Sequence, residues 1–531
     1  MNNLTLEIAG QACSLGIGWI RIRQQINEIP TARIELRIPT DNNGAKNSAV
    51  KQEVNRFSMG AAVVISQDKK TLFTGYLVQK KMQLEGSHWS VRLDAYHIMQ
   101  KLTFVPRSRV FLEQNDGAIL KGLFQPAGVK LSLNVAKELN DKHDQMVQFR
   151  LSDWQFIRSR LLSTNCWLLP DAASNQVVIS PLAEPANASQ TLECDGKNQG
   201  HSLYNINLNF DNRFTLDSLS LQGWDINEQK LTSAQKSQAK SFRPWKSATE
   251  ATLSTTWQQD YALAFSDMPE TALHTLSKSW LNHQQLTGVQ GNILLSGTRD
   301  FKLGESIKLN RFGAGLDGTV ILTGVNQQFD IDQGWRTELL IGMALHMLEP
   351  IPPTQSLHIA KVAQFKADTK HQDRIAIHLP ALGLPEEIIF ARLGKPWASK
   401  KSGFCFYPEP GDEVVVGFIE GDPRYPIILG AMHNPKNSAP FPPHEKNNRK
   451  GLVVDKDGKK EALLIDTEKK TVELSVGDNT LTLTDEDGIT LDTPKTLRSN
   501  AEILIQQAKN NVSISGKQQV EITSANINMK K

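Results

Sequence analysis

From about residue 450 to the C-terminus, apolar and polar residues alternate in short segments. They are 479–485 (NTLTLTD), 488–493 (GITLDT), 502–506 (EILIQ), 511–515 (NVSIS) and 520–524 (VEITS). Period-two alternation is the signature of a half-buried strand. The inward candidates are Val476, Leu483, Leu491, Ile505, Ile514, Ile522 and Met529, mostly seven to nine positions apart with one double-length gap. Single-chain repeat folds mostly run at periods of about 20 to 50 residues, because one chain must supply every face. Here each repeat supplies about one face. The pattern therefore predicts an intertwined, three-sided β-prism in which several copies wrap a common axis. An antiparallel meander packed on the rest of the protein would also alternate, but it would bring aromatic rings into its core. No Phe, Tyr or Trp follows Phe441. A disordered tail fits less well, since Ile, Val and Leu recur too regularly.

Upstream the pattern is mixed. Residues 61–65, 72–80 and 89–95 read as strands, and 116–124 and 152–163 as helices. Ser152 and Gln155 have capping-box spacing, and Trp154, Phe156, Ile157 and Leu161 supply the apolar face. Arg158 and Arg160 on that helix read as a solvated face rather than as ligands. A second β-rich stretch covers 203–348, with a helix near 270–282 and strands at 291–296, 306–309, 319–325 and 336–341. The polar run 229–241 reads as an exposed loop. The Pro-rich 349–354 (EPIPPT) reads as a domain boundary. Strands at 374–379, 388–393, 413–420 and 425–431 then suit a small barrel of the OB type, and the loop 434–450 leads to the tail. The predicted domains are 1–200, 201–349, 357–443 and 451–531.

Composition narrows the chemistry. With 39% hydrophobic and 22% charged residues in 531, the chain is an ordinary multi-domain globular sequence. It has no basic leader followed by an apolar stretch and no run of 18 apolar residues, so synthesis in the cytoplasm without a cleaved signal is expected. Cys13, Cys166, Cys194 and Cys405 lack the spacing of a zinc or redox site, and Cys166 reads as a buried thiol. The tail from Gly451 onward carries 11 basic and 13 acidic side chains, a net of −2, which argues against nucleic-acid binding. The GAGLDG run at 313–318 precedes a strand rather than a helix and reads as a turn, not a dinucleotide site. Asp485, Glu486 and Asp487 precede a glycine turn and read as a solvated corner. No HExxH, GxSxG or P-loop occurs. No catalytic residue, metal site or cofactor is expected.

The segment KPWASKKSGFCFYPEPGDEVVVGFIEGDPRYPIILGAMHN (395–434) resembles the OB-domain block of VgrG-type central spike proteins. Matching positions include Pro396, Trp397, Gly411, Asp412, Glu413, Gly417, Gly421, Asp422, Pro423, Pro426, Gly430 and Asn434, while His433 stands where an aromatic is common. The first 350 residues are similar, less sharply, to the hub of these spikes. The resemblance implies a mainly β fold with two tube-like β-barrel hub domains, a few helices, an OB-fold collar and a trimeric β-helix needle. It also implies a homotrimer that caps an inner tube, adapts a sixfold tube to a threefold needle and pierces a target envelope. Its implied partners are the inner tube protein, baseplate proteins, a PAAR-like tip protein seated near Ile527 and Met529, and effector cargo. The compact length and short tail look most like the spikes of extracellular contractile particles such as the antifeeding prophage and Photorhabdus virulence cassettes. Such a protein would be made in the bacterial cytoplasm and released within a phage-tail-like particle.

Two competing classes are weighed. A cell-wall hydrolase would need a domain between collar and needle, where only 16 residues (435–450) intervene. A carbohydrate-binding fibre would need a receptor domain with surface aromatics after the prism, and the chain ends at Lys531 within a few residues of the last repeat.

Overall fold

The computed structural model describes residues 4–39, 48–85, 88–134, 137–194, 202–211, 216–238, 260–265, 268–313, 317–344 and 353–529. The chain forms two compact units, Met1–Met432 and His433–Lys531.

In the first unit, the strands predicted in both β-rich stretches share one 13-stranded sheet. Its main path runs Leu203–Phe210, Val289–Ser296, Gly334–Ile341, Gly318–Asp330, Gly16–Arg23, Thr31–Arg37, His88–Tyr96, Lys70–Glu85, Ala62–Gln67, Leu4–Ile8 and Gln11–Ala12. The two stretches meet where Gly318–Asp330 pairs antiparallel with Gly16–Arg23, in register Gln327↔Ile22 to Asp330↔Trp19. Arg21 seals this seam by donating to the carbonyl of Phe329 at 2.7 Å. Two cores lie along the sheet: one is built mostly from the first stretch (Ile20, Ile34, Phe57, Phe73, Leu93) with Trp335 added, the other mostly from the second (Ile293, Leu309, Leu322, Leu339) with Ile26, Trp167, Leu182 and Leu192 added. Strand alternation places every second residue on the buried face, and closing each sheet half over its own apolar side gives two cores along one ladder.

A helical insert interrupts the first stretch. Asp116–Phe124 is capped by Asn115, whose Oδ1 accepts from Ala118 N at 2.8 Å. Asp153–Ser163 opens with the predicted capping box, Gln155 N donating to Ser152 Oγ at 3.1 Å and Ser152 N to Gln155 Oε1 at 3.0 Å. The hairpin of Pro106–Asn115 and Lys142–Ser152 carries this insert. The later helix runs Glu270–Thr287, longer than its sequence pattern indicates.

The collar is a closed barrel in the order His358–Val362, Arg374–His378, Ile389–Leu393, Pro426–Met432 and Glu413–Phe418. Val362, Ile377, Ile389, Val414, Val416 and Ile428 fill it and are fully buried or nearly so. At about 1.5–3 kcal/mol for each fully buried aliphatic side chain, this small core holds the barrel shut.

The second unit begins its regular structure at Arg449. Arg449–Lys456, Lys459–Asp466, Thr471–Val476, Asn479–Thr484 and Gly488–Asp492 form a five-stranded antiparallel meander. From residue 493 to 529 no strand is paired within the chain. The segments around Ile505, Ile514 and Ile522 therefore differ from the first repeats: they have no ladder partner among the described residues. The physical reason is that a strand needs a neighbour for its N–H and C=O groups, and here none folds back.

Two further differences matter. The polar run from 229 contains two short strands, Lys230–Leu231 and Gln235–Gln238, rather than only loop, and its end (239–241) lies outside the described residues. The centre of the 313–318 turn and most of the 349–354 boundary also lie outside them. Arg160 is not on a solvated face. It is buried and ion-paired, for reasons given below.

Candidate functional site

The motif residues gather in the collar, but they do not form one pocket. Asp422 and Pro423 make the turn between Glu413–Phe418 and Pro426–Met432, which pair with Phe418 opposite Pro426. Gly421 has φ +72°, and a Cβ there would lie 2.4 Å from Pro353 Cβ, so this corner requires glycine. Asp422 is pinned to Arg424 by Nε and Nη2 contacts of 2.6–3.0 Å. Gly411, at φ +103°, and Asp412 lead into the first of these strands, Asp412 accepting from Glu409 N at 2.9 Å. Glu413 stands opposite Met432 on one side and Lys361 on the other. Gly430 pairs with Val415, and the ladder skips Leu429 there as a bulge. Gly417 leaves room on the outer wall for Leu357 and Leu429. Asn434 belongs to the second unit, where its side chain accepts from the backbone N–H of Lys436 and Asn437 in an Asx turn. Pro396 and Trp397 stand apart, on an exposed hairpin.

Behind the collar lies a cleft of about 640 Å³, lined among others by Asp116, His143, Arg160, Glu270, Arg374 and Arg424. Asp116 starts the first insert helix and accepts from Arg160 Nε and Nη2 at 2.6 and 3.0 Å and from His143 Nε2 at 2.8 Å. Burial pushes the Asp116 carboxyl up, but Arg160 and His143 outweigh it and hold the group below the usual carboxylate range. Arg374 reaches Asp144 at 2.5 Å and Asp368 at 2.6 Å. Burial opposes ionisation of Asp368, yet Arg374 and three backbone N–H donors bring it down to about 2. Burial likewise lowers Arg424, and Asp422 beside it more than restores the charge.

An ion-paired guanidinium holds its proton and cannot act as an acid or base near neutral pH. What these pairs do is join parts. Arg374 belongs to the collar and Asp144 to the insert hairpin. Gln145 of the hairpin accepts from Phe390 N at 2.7 Å and donates to the carbonyl of Arg424 at 3.1 Å, both on the collar side. Val147, Val110 and Phe149 of the hairpin pack into the collar core. The cleft is the floor of a stiff joint. Sequence reading missed it because its partners lie far apart along the chain, and the one signal present, Arg160, needs the position of Asp116 to be interpreted.

The tail places its apolar residues on one face, and that face is open. Leu452, Leu463, Leu474, Leu481 and Leu491 stand directly opposite one another across the five strands, and Ile465, Val472, Leu483 and Ile489 form a second row. Apart from half-buried Leu481, these side chains are 39–71% exposed, whereas Thr471, Glu473 and Ser475 between them are better covered. Beyond the meander, Ile505, Ile514 and Ile522 are also largely exposed, as are Ile527 and Met529 near the end. Asp485 and Glu486 are exposed at a turn, with Asp485 facing Lys470 at 3.1 Å. Among the described residues no group of His, Cys, Asp and Glu is arranged to hold a metal ion, and no helix is long and apolar enough to cross a membrane. Cys166 is buried, as its surroundings predict.

Residues 2–330 match the family described as the Alg8 N-terminal domain. Residues 358–433 match the type VI secretion system and phage-baseplate injector OB domain. The chain is 30% identical over 135 residues to the actin cross-linking toxin VgrG1 of Vibrio cholerae, a stretch covering 24% of this chain and 12% of that protein. It is 42% identical over 50 residues to the type VI secretion system spike protein VgrG1a of Pseudomonas aeruginosa, covering 9% and 8%. The alignments thus span about a tenth of these curated relatives. Among solved structures, a type VI secretion component of E. coli with similarity to T4 tail proteins gp27 and gp5 aligns with TM-score 0.52 at 14% identity, over 80% of this chain and 99% of that one. A chain of the Francisella PdpA-VgrG complex aligns with TM-score 0.56 at 11% identity, over 93% of this chain and 80% of that one. These structural likenesses speak to the fold, which is mainly β with an OB collar, as expected from sequence. The chain belongs to the Alg8 N-terminal domain family, and its collar block matches the type VI secretion system and phage-baseplate injector OB domain, similar to VgrG-type spike proteins.

Proposed function

We propose that this protein is the structural central spike of a contractile injection particle. In this reading it caps the inner tube, adapts sixfold tube to threefold needle and pierces the target envelope as a homotrimer. The observation that carries the proposal is the pair of open apolar rows across the tail meander. Exposed contiguous apolar surface marks an interaction site, and ring-free Leu, Ile and Val rows fit a narrow axis shared by three copies. Each meander forms one wall with its apolar rows inward, and the unpaired segments from 493 to 529 find strand partners in neighbouring chains. Such a needle spreads load over interchain hydrogen bonds, and unfolding one strand means dismantling the trimer.

The two β-rich stretches (1–200 and 201–349) are then the hub, since three chains supply six similar units. Residues 357–443 are the collar and 451–531 the needle. The motif residues Gly411 to Gly430 act by shaping the collar. Ile527 and Met529 seat a PAAR-like tip protein, while tube and baseplate proteins meet the hub. The role is non-enzymatic, and the particle is of the released, extracellular kind. Mass and symmetry of the purified protein test the reading: a three-chain mass with threefold symmetry is expected, and a monomer folded through its tail overturns it. Peptidoglycan degradation by the purified trimer would instead favour a hydrolase.

A further inference from the structure

The collar carries a second, unrelated set of unpartnered apolar groups. Between Ile389–Leu393 and Glu413–Phe418 the chain makes a small hairpin, Ala398 opposite Gly403 and Ser399 opposite Ser402. Its stem is pinned to the barrel, with Lys395 Nζ 3.1 Å from Asp373 and 2.9 Å from the Tyr407 hydroxyl, which donates to Asp373 at 2.6 Å. Beyond that stem its rings stay largely uncovered among the described residues. Trp397, Phe404 and Phe406 are about half exposed, and all the paired residues are exposed. A two-stranded hairpin is marginal by itself in water, and two paired residues on each side with no buried side chain fall short of even that. Gly403, whose Cβ would meet the carbonyl of Trp397 at 2.6 Å, keeps the two arms in contact and the rings turned outward.

The side wall of the same barrel is apolar in a complementary way. On the outer face of three adjacent strands, Ile359 stands opposite Val415 and Val415 opposite Gly430. Leu357, Leu429 and Ile427 close around the gap left by Gly417. Leu357, Ile359 and Leu429 are about half exposed or more. One patch is a protruding knob at the barrel end, where Met432 also ends its strand, and the other is a shallow wall with a glycine notch. The hairpin follows Leu393, at the end of the barrel where Pro426–Met432 also finishes, and the wall lies along His358–Val362, Glu413–Phe418 and Pro426–Met432.

We infer that the aromatic hairpin of each copy docks on the Leu357, Ile359, Val415, Leu429 wall of the next copy. Knob and wall on one chain make a heterologous contact, which generates a closed ring if the rotation closes, and a threefold ring satisfies every knob and every wall at once. A foreign partner would cover one patch and leave the other open. Rings that bury about 150–250 Å² each when fully covered, here about half exposed, offer on the order of 300 Å² per hairpin, and the wall offers a similar area. That total of roughly 600 Å² per contact is too small to hold copies together by itself, where a stable interface buries about 1,000 Å² or more. The contact thus registers the collars while the needle supplies most of the association. The inference rests on the trimeric reading above.

Cys405 lies exposed between Phe404 and Phe406 and serves as a native probe. In full-length protein carrying Cys13→Ser and Cys194→Ser, a Cys is added by Ile359→Cys and a short bismaleimide is applied. A covalent ladder ending at three chains is expected, lost when Cys405→Ser is added. Absence of the ladder in protein that still has a three-chain mass overturns the hairpin pairing alone. Cross-linked dimers from Cys405 without Ile359→Cys overturn it in favour of a hairpin-to-hairpin contact. A one-chain mass overturns the trimeric reading on which it rests. Trp397→Ser with Phe406→Ser provides an independent check, since it should abolish the ladder while leaving the three-chain mass.

Discussion

The collar barrel and the tail meander are built from the same kind of strand, yet they use their apolar residues in opposite ways. In the collar, Val414, Val416 and Ile428 alternate with outward residues and are fully buried, because five strands close on themselves. In the tail, Leu463, Leu474 and Leu491 alternate just as regularly and stay open to solvent, because five strands lie in an unclosed row. Closure within one chain makes stability a property of that chain. Without closure, stability has to come from other copies and depends on concentration.

The sharpest way to break this contrast is truncation after Lys450. The hub and collar should remain folded and soluble, leaving a needle-less assembly, as judged by circular dichroism and electron microscopy. Loss of hub folding would show that the first unit is not self-sufficient. Next in size is Asp116→Asn, which leaves Arg160 buried without its counter-charge. Breaking a buried pair from one side costs about 3–5 kcal/mol, so urea unfolding of the first unit should shift by that amount at every protein concentration. A dependence on concentration would contradict the idea that this unit is stabilised from within.

The direct comparison is Ile428→Ala against Ile514→Ala. The collar change should cost about 2–5 kcal/mol for a buried aliphatic truncation. The tail change should cost no more than about 0.5 kcal/mol in dissociated chains, as for an ordinary surface site, and several-fold more in the trimer. Equal small effects under both conditions would sink the shared-axis needle.

The smallest effect is on pH. Burial holds His97 and His283 below the ordinary imidazole value, so both resist protonation in the folded hub. Their unfolded forms take up protons below about pH 6.5, so the stability of the first unit is full above that pH and declines as pH falls through it. Asp116, Asp368 and Asp422 are held below their ordinary value, so their contribution persists until pH falls below about 4. Thermal melts from pH 8 to 3 should therefore show a first decline near pH 6.5 and a second below pH 4. A flat profile between pH 7 and 5 would remove the histidines from this account.

Much of this was legible in the residues. The helix over Asp116–Phe124, the capping box at Ser152 and Gln155, and four of the five collar strands follow from spacing, since each depends on neighbours a few positions away, whereas the short His358–Val362 strand shows itself only by its pairing with Arg374–His378 and Glu413–Phe418. The side on which Arg160 lies was not legible. Its partner is 44 positions distant, and a polar residue beside an apolar stripe looks the same whether it faces water or a buried carboxylate. The pairing of the two β-rich stretches was hidden for a similar reason, because the Asp330↔Trp19 seam joins positions more than 300 residues apart.

Sequence alone settled that the tail is ring-free and alternates at period two, and that the collar block is of the spike type, because both are local patterns of residue type. Tertiary structure decided which alternating strands find their partners at home. The collar ladder closes because its last strand, Pro426–Met432, pairs with both Ile389–Leu393 and Glu413–Phe418. The tail ladder stops at Asp492 with one face uncovered. Alternation specifies that a strand has an apolar side, and only the path of the chain in space determines what covers it.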